Sequence, residues 1–459
     1  EAPDTVKVTL DYPAFFPFIE QVPNRELRRQ LRLKYQNRAV EQNRPLLEEA
    51  LSIRSEMAGL LGYADWAEYA MELKMADPKS VEDLYASVIP GLTDLGTNEK
   101  ATLQELLERD EPGQTLQQWD WRFYHNLQRT KDFGIDQNEV AEYFPLDAVI
   151  EGMLDVTGSV LGIAYVPLPD EPTWHDDVLS YRVDDAETGE HLAIFHLDLY
   201  PRDGKFTHAA CWNPVNRRVE ADGSIRIPVG AVAANFTKPS GDTQSLLKHD
   251  EAVTLWHEFG HVLHACLTSV DEQSFAGFDT EWDFVEAPSQ IMENWMWNAE
   301  VLRQFARHHE TGEPIPEELV SSLVAARDQN VGLQNLRQVF LGQYDMRMHT
   351  SGPNPDLDAL QVETTALTLL PLQPDTFMAA SFGHLMGGYD AGYYGYLWAN
   401  VYGDDMFSVF ESEGVMSPEV GKRYRAEVLE RGSSRDAIDH LRAFLGREPN
   451  ADAFLEKLG

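Results

Sequence analysis

Through the first 160 or so residues, apolar side chains recur three and four positions apart with charged groups between them, the period of helices that bury one face. Asn24–Val40 and Pro45–Leu61 carry this pattern on good helix formers, and it predicts packed helical hairpins. Pro13, Pro17 and Pro23 delay the first long helix, and Glu111-Pro112-Gly113-Gln114 reads as a break between helices. Between about Tyr165 and Phe236 the texture changes. Val178–Val183, Leu192–Tyr200 and Ile225–Phe236 are β-rich runs separated by turn signals at Arg202-Asp203-Gly204 and Ala221-Asp222-Gly223, which together predict a small antiparallel or mixed sheet. Helical periodicity returns at Ser245 and persists to the C-terminus, with breaks near Ser351–Pro355 and Gly383–Gly395. The pattern describes a mainly α chain with a small sheet placed before its strongest motif. It divides into a helical region, 1–160, and a region of sheet and later helices, 161–459.

That motif is His257-Glu258-Phe259-Gly260-His261. Histidines four apart on a helix lie on one face at successive turns, with Glu258 beside them. Two neutral imidazoles suit zinc, and an adjacent carboxylate can activate water. A catalytic zinc takes a third protein ligand, for which Glu286 is the candidate because a second helical pattern, Gln290–Phe305, begins just after it and Pro288 marks a helix start. The same spacing fits a helix cap shared with Asp283, and both readings stand at this point. Glu293, seven beyond Glu286, is either a partner for a ligand histidine or a reserve ligand. His249 and His264 are weaker candidates, and His264 is expected to be a hydrogen-bonded structural histidine. A further cluster, His384-Leu385-Met386-Gly387-Gly388-Tyr389-Asp390-Ala391-Gly392-Tyr393-Tyr394-Gly395-Tyr396, joins an imidazole and several phenols to four glycines. Such a segment predicts a substrate-facing loop, and Tyr389, Tyr393 and Tyr396 share a face wherever it is helical.

Composition narrows the partners. The chain has 459 residues, 43% hydrophobic and 25% charged, and can build a substantial core. Acidic residues number 76 against 37 basic ones, a net charge of −39, which repels nucleic acid and anionic lipid. The same excess serves to keep a surface solvated in a salty cell. Cys211 and Cys266 are the only cysteines, so neither a disulfide framework nor a Cys-rich metal site is available, and a reducing compartment fits. No apolar run approaches a membrane span.

Around Ala234-Asn235-Phe236-Thr237-Lys238-Pro239, His257–His261, Asp283–Gln290, Glu293-Asn294-Trp295 and His384–Tyr396, the sequence resembles the thimet oligopeptidase family of zinc metallopeptidases. The similarity extends from Thr9-Leu10-Asp11-Tyr12-Pro13 to Phe444-Leu445-Gly446-Arg447-Glu448-Pro449, nearly the whole chain. The resemblance implies a zincin-like helical metallopeptidase with the small sheet beside the active-site helix and a deep channel that admits short unstructured peptides. It makes 161–459 the catalytic region and 1–160 part of the channel wall. His257, His261 and Glu286 would hold one Zn²⁺, and Glu258 would be the general base. His384, Tyr393 and Tyr396 would act in catalysis, while Tyr389, Gly387 and Gly388 would bind substrate. Ala233, Ala234 and Asn235 would belong to a strand edge that pairs with the peptide. Internal cleavage of short oligopeptides is the expected activity. The alternatives are release of C-terminal dipeptides, for which Arg202, Lys205 and Arg217 are candidate carboxylate binders, and a noncatalytic peptide-binding module. A cytoplasmic monomer is expected. Family members carry a further region ahead of the part that resembles Glu1, so that portion of the same enzyme is an expected partner.

Overall fold

The computed structural model describes residues 6–241 and 243–457. These form two compact units, one built from the described residues through Gly134 together with Asp328–Leu397, the other from Ile135–Arg327 and Trp398–Lys457. The chain is mainly helical with a small mixed sheet.

The first unit is helical. Helix Arg25–Gln36 starts where Asn24 Oδ1 accepts the Leu27 N–H at 3.0 Å, an N-cap. The segment expected to run to Val40 stops at Asn37, and Ala39 at φ +55° separates it from helix Val40–Leu61. Helix Pro78–Asp110 begins with a proline after the capping Asp77, whose carboxylate accepts the Ser80 N–H at 2.7 Å. Helix Val331–Thr350 packs along it closely: a Cβ on Gly332 would lie 2.7 Å from the backbone nitrogen of Gly96. At the start of that helix the N–H groups of Gly332 and Leu333 donate to the Glu99 carboxylate at 3.0 and 2.8 Å, so a residue from a distant stretch of chain caps it.

The second unit holds the sheet. Strands β1 (Ile163–Pro167), β2 (Leu179–Asp185), β3 (His191–Asp198), β4 (Ala210–Val215) and β5 (Val229–Ala233) lie in the order β1-β2-β3-β5-β4. All neighbours are antiparallel except β3 and β5, which run parallel with Ile194 opposite Val229. The run expected at Ile225–Phe236 is split by Pro228: Ile225–Arg226 pairs with Arg218–Val219, and only Val229–Ala233 joins the main sheet. Helix His249–Cys266 packs on the sheet through buried Phe259, Val262 and Cys266, the last two at Gly230 of β5. Phe259 meets Phe195 of β3 edge to face at 5.4 Å. The pattern expected as one helix over Gln290–Phe305 is three pieces: helix Ala287–Glu293, a 3₁₀ turn at Asn294–Trp297, and helix Ala299–Phe305. Asn298 makes the break by capping the last piece, its Oδ1 accepting from Glu300 and Val301.

Candidate active site

Helix His249–Cys266 begins with Asp250 and Glu251 in its first turn, where carboxylates suit the exposed N–H groups, and Glu251 also accepts the Lys248 N–H at 2.9 Å. Two turns later His257 and His261 leave the same face, their rings 5.2 Å apart. Glu286 reaches both from the start of helix Ala287–Glu293: its Oε2 lies 3.2 Å from His257 Nε2 and 3.1 Å from His261 Nε2. Glu286 occupies the position before that helix but makes no capping hydrogen bond with its side chain. The carboxylate is spent on the histidines and on Ser289, whose hydroxyl donates to Oε2 at 2.9 Å.

Gly260 permits this approach. A Cβ there would fall 2.5 Å from the Pro288 carbonyl oxygen and 2.6 Å from Ser289 Cα, distances no side chain tolerates. Glycine between the two histidines therefore lets the short helix lie against the long one. Gly260 and Ser289 are contributors that the motif spacing alone did not single out.

One ligand atom each from His257, His261 and Glu286 falls within a 4.8 Å sphere of mutual distances, a group able to hold a metal ion. Glu293 is outside that group. Its Oε1 accepts from His257 Nδ1 at 2.7 Å, which fixes the tautomer and leaves Nε2 as an electron-pair donor. Two imidazoles and a carboxylate, one imidazole oriented by a second carboxylate, fit a zinc ion. Burial works to raise the Glu286 carboxyl, but His261 and His257 outweigh it and hold it well below the usual carboxylate range. Glu258 is buried on the same helix, and burial raises its carboxyl against the pull of His257 and His261.

Two other histidines of the region have separate places. His249 bonds the Met296 carbonyl at 2.8 Å. His264 is fully buried, but neither ring nitrogen has a hydrogen-bond partner among the described residues; the expectation of a hydrogen-bonded histidine is corrected, because the ring is turned into the core near a second buried histidine, His440.

The strand expectation is corrected as well. Ala233, at the end of β5, is not on a free edge, because β5 pairs with β3 on one side and β4 on the other. Ala234 and Phe236 continue the pairing by donating to the carbonyls of Asp198 and Leu199 at 2.8 and 2.9 Å, and the Asn235 side chain bonds the Phe206 carbonyl. The edge beyond β5 is β4, with no further strand beside it among the described residues.

In the first unit, His384, Tyr389, Tyr393 and Tyr396 form one aromatic cluster. Tyr389 and Tyr396 stack at 5.1 Å, and His384 Nε2 lies 3.3 Å from the Tyr396 hydroxyl. Helix begins only at Gly395, so Tyr389 and Tyr393 sit in turns, with Gly387 and Gly388 exposed and Gly388 at φ +93°. Tyr393 is buried and its hydroxyl donates to Gln338 Oε1 at 3.0 Å.

A model of Peptidase family M3 matches residues 18–459. Thimet-like oligopeptidase of Dictyostelium discoideum is 36% identical over 473 residues, covering 100% of this chain and 70% of the relative. Saccharolysin of Saccharomyces cerevisiae is 37% identical, with 99% and 66% covered, and oligopeptidase A of Escherichia coli is 36% identical, with 98% and 68% covered. A dipeptidyl carboxypeptidase of Escherichia coli is 31% identical over 424 residues, 91% of this chain and 62% of that one. The chain thus spans about two thirds of the length of the curated relatives it matches. Among solved structures, PZ peptidase A with an inhibitor has a TM-score of 0.62 at 14% identity, over 97% of this chain and 69% of that one, a likeness of fold. Among the described residues no helix is long and apolar enough to cross a membrane.

Proposed function

This chain belongs to peptidase family M3, and we propose that it is a zinc-dependent oligopeptidase that hydrolyses internal bonds of short unstructured peptides. The observation that carries the reading is the convergence of His257, His261 and Glu286, with Glu258 one residue from a ligand and Glu293 orienting His257. When bound, zinc supplies a Lewis acid for the scissile carbonyl and makes water acidic enough to attack it. Glu258 takes the proton from the attacking water and returns one to the departing amine, a role suited to a carboxylate whose proton affinity burial raises. Extended substrate adds as a strand to β4, whose outer backbone has no strand partner among the described residues. His384 and Tyr396 donate to the substrate, Tyr393 backs them with its hydroxyl given to Gln338, and Tyr389 with Gly387 and Gly388 contacts the peptide; these roles rest on the resemblance of that segment.

Internal cleavage is favoured over dipeptide release by what the candidate carboxylate binders do. Arg202 is clamped on Asp198 at 2.6 and 2.7 Å. Lys205 donates to the carbonyls of Asp198, Tyr200 and Ala234. Arg217 bonds the Val270 carbonyl and Asp271, both at 2.7 Å. All three cations are engaged by the fold itself. The test is a quenched peptide of about ten residues, long enough at roughly 3.3 Å per extended residue to cross the site. Mass spectra should show an internal cut that stops on chelation and returns with zinc, and the same sequence inside a stable folded host should stay largely intact. Serial loss of C-terminal dipeptides would replace this reading with the other, and binding without turnover would reduce the chain to a peptide-binding module.

A further inference from the structure

We propose that Asp345 is a positioning residue that sets the Tyr389–Tyr396 segment for substrate, an inference that rests on the substrate reading of that segment and names what holds it. Asp345 lies on helix Val331–Thr350 and is 0% exposed. Its Oδ1 accepts the Ala391 N–H at 2.9 Å, and its Oδ2 accepts those of Gly392 and Tyr393 at 2.9 and 3.0 Å. Three successive N–H groups converge on one anion only where the backbone curls into a nest. Ala391 makes the curl at φ +50°, a left-handed conformation that strains a residue with a Cβ. Such strain persists where the surroundings over-determine it, and here the carboxylate does so.

The anion is itself held from behind. His349 Nδ1 lies 3.0 Å from Asp345 Oδ1, and its Nε2 lies 3.0 Å from Arg54 Nη1. A guanidinium only donates, so Nε2 accepts and the ring proton sits on Nδ1, which donates to the Asp345 backbone carbonyl at 2.9 Å and lies beside the carboxylate. Arg54 also donates to the Leu385 carbonyl at 2.9 Å and pairs with Asp390 at 3.4 Å, and Asp390 accepts from Trp66 Nε1 at 2.8 Å. Lys74 donates to the Ala391 carbonyl at 3.1 Å. The backbone on both sides of the two exposed glycines is thus tied to one chain of charged groups.

Burying a carboxylate is costly unless its oxygens are satisfied, and apolar packing would join a loop to a helix without that cost. A charged anchor with three directed bonds supplies what apolar packing cannot, a defined direction for each peptide plane from 391 to 393. That direction sets how Tyr393 leaves the backbone and how the helix carrying Tyr396 starts at Gly395.

The test uses the full chain labelled with 3-fluorotyrosine, with the resonances of Tyr393 and Tyr396 assigned by Tyr→Phe substitution. Asp345→Asn keeps the size of the side chain but turns an amide NH₂ toward backbone N–H groups. In the folded, zinc-loaded variant the fluorine resonances of Tyr393 and Tyr396 should shift or broaden while those of distant tyrosines stay. kcat should fall by roughly 10²-fold, the scale of a small misplacement, and Tyr396→Phe should cost much less in the Asp345→Asn background than in the natural chain. If Asp345→Asn does not fold, His349→Asn keeps a donor toward Asp345, gives up the acceptor for Arg54, and should show the same coupling with a smaller loss. Unmoved resonances, or losses that simply add once corrected for folded fraction, would make Asp345 an ordinary structural residue. A Tyr396→Phe chain with natural turnover, alongside moved resonances in Asp345→Asn, would remove the segment from the reaction and overturn the proposed service to substrate.

Discussion

At the scale of single residues, the same element, histidine, takes opposite roles according to what faces it. His257 has carboxylates on both ring nitrogens, at 3.2 and 2.7 Å, whereas His264 is fully buried with no hydrogen-bond partner among the described residues. The tetrad spacing made the first legible, because i and i+4 share a helix face. Nothing in the sequence told what His264 packs against, since its neighbour in burial lies 176 positions on, at His440. Burial and then Arg435 push His440 down to about 4, and burial with His440 pushes His264 down to about 3. Both folded values lie below the ordinary 6.5, so the unfolded chain takes up protons first. Their contribution to stability is whole above pH 6.5 and is lost as pH falls from there toward 4 and 3. His440→Leu should flatten denaturant-measured stability between pH 6.5 and 4 by up to ~3 kcal/mol relative to the natural chain; an unchanged slope would place the acid sensitivity elsewhere. Glu258 belongs to this scale too. Glu258→Gln preserves size without a base, so zinc content should stay at one ion per chain while kcat drops by ~10²-fold or more. Metal analysis beside turnover checks both halves, and equal turnover at equal occupancy would remove Glu258 from the chemistry.

At the scale of elements, the site is a contact between two helices of the second unit, and Gly260 decides how close they come. Gly260→Ala would drive a methyl into the Pro288 carbonyl and Ser289 Cα. Neither is a flexible side-chain end, so the helix start carrying Glu286 must move. Overpacking of this kind costs ~1–3 kcal/mol, and here it should also loosen zinc, because Glu286 spans both histidines from the displaced turn. Competition with a chelator should show at least tenfold weaker zinc in Gly260→Ala, whereas Ala on an exposed face of the same helix should leave affinity alone; unchanged affinity would show that the turn relaxes without moving the carboxylate. Element type was legible in the sequence where periodicity is strong, as in β2, β3 and the helix of the motif. It failed for β1, whose Ile163–Pro167 directly follows helix Leu146–Leu161 with only Gly162 between, and for β4, where Asn213 and Pro214 interrupt any β-rich run. β4 is an edge, and an edge tolerates proline and exposed side chains that an interior strand does not. The resemblance places the free backbone one strand away, at Ala233, Ala234 and Asn235.

At the scale of the whole molecule, periodicity tells which face of a helix is buried but not which distant helix covers it. The first unit draws on residues before Gly134 and again on Asp328–Leu397, and contacts such as Glu99 with Gly332 join stretches more than two hundred residues apart. Charge, by contrast, is legible directly and acts over the entire surface. Acidic side chains exceed basic ones by 39, so even if every base met one acid, that many carboxylates would still face one another through water. Repulsion of this kind opposes the compact state, and its reach shrinks from about 10 Å at 0.1 M salt to about 3 Å at 1 M. Thermal unfolding followed in potassium chloride should therefore show Tm climbing steeply up to about 1 M, where the screening length falls below the spacing of surface charges, and flattening beyond it. Replacing the exposed Glu49, Glu56 and Glu105 by Gln should raise Tm at low salt and shrink the climb, with little effect at 1 M. A Tm that keeps rising in proportion to salt through several molar, equally in both chains, would assign the effect to exclusion of salt from apolar surface and not to the carboxylates.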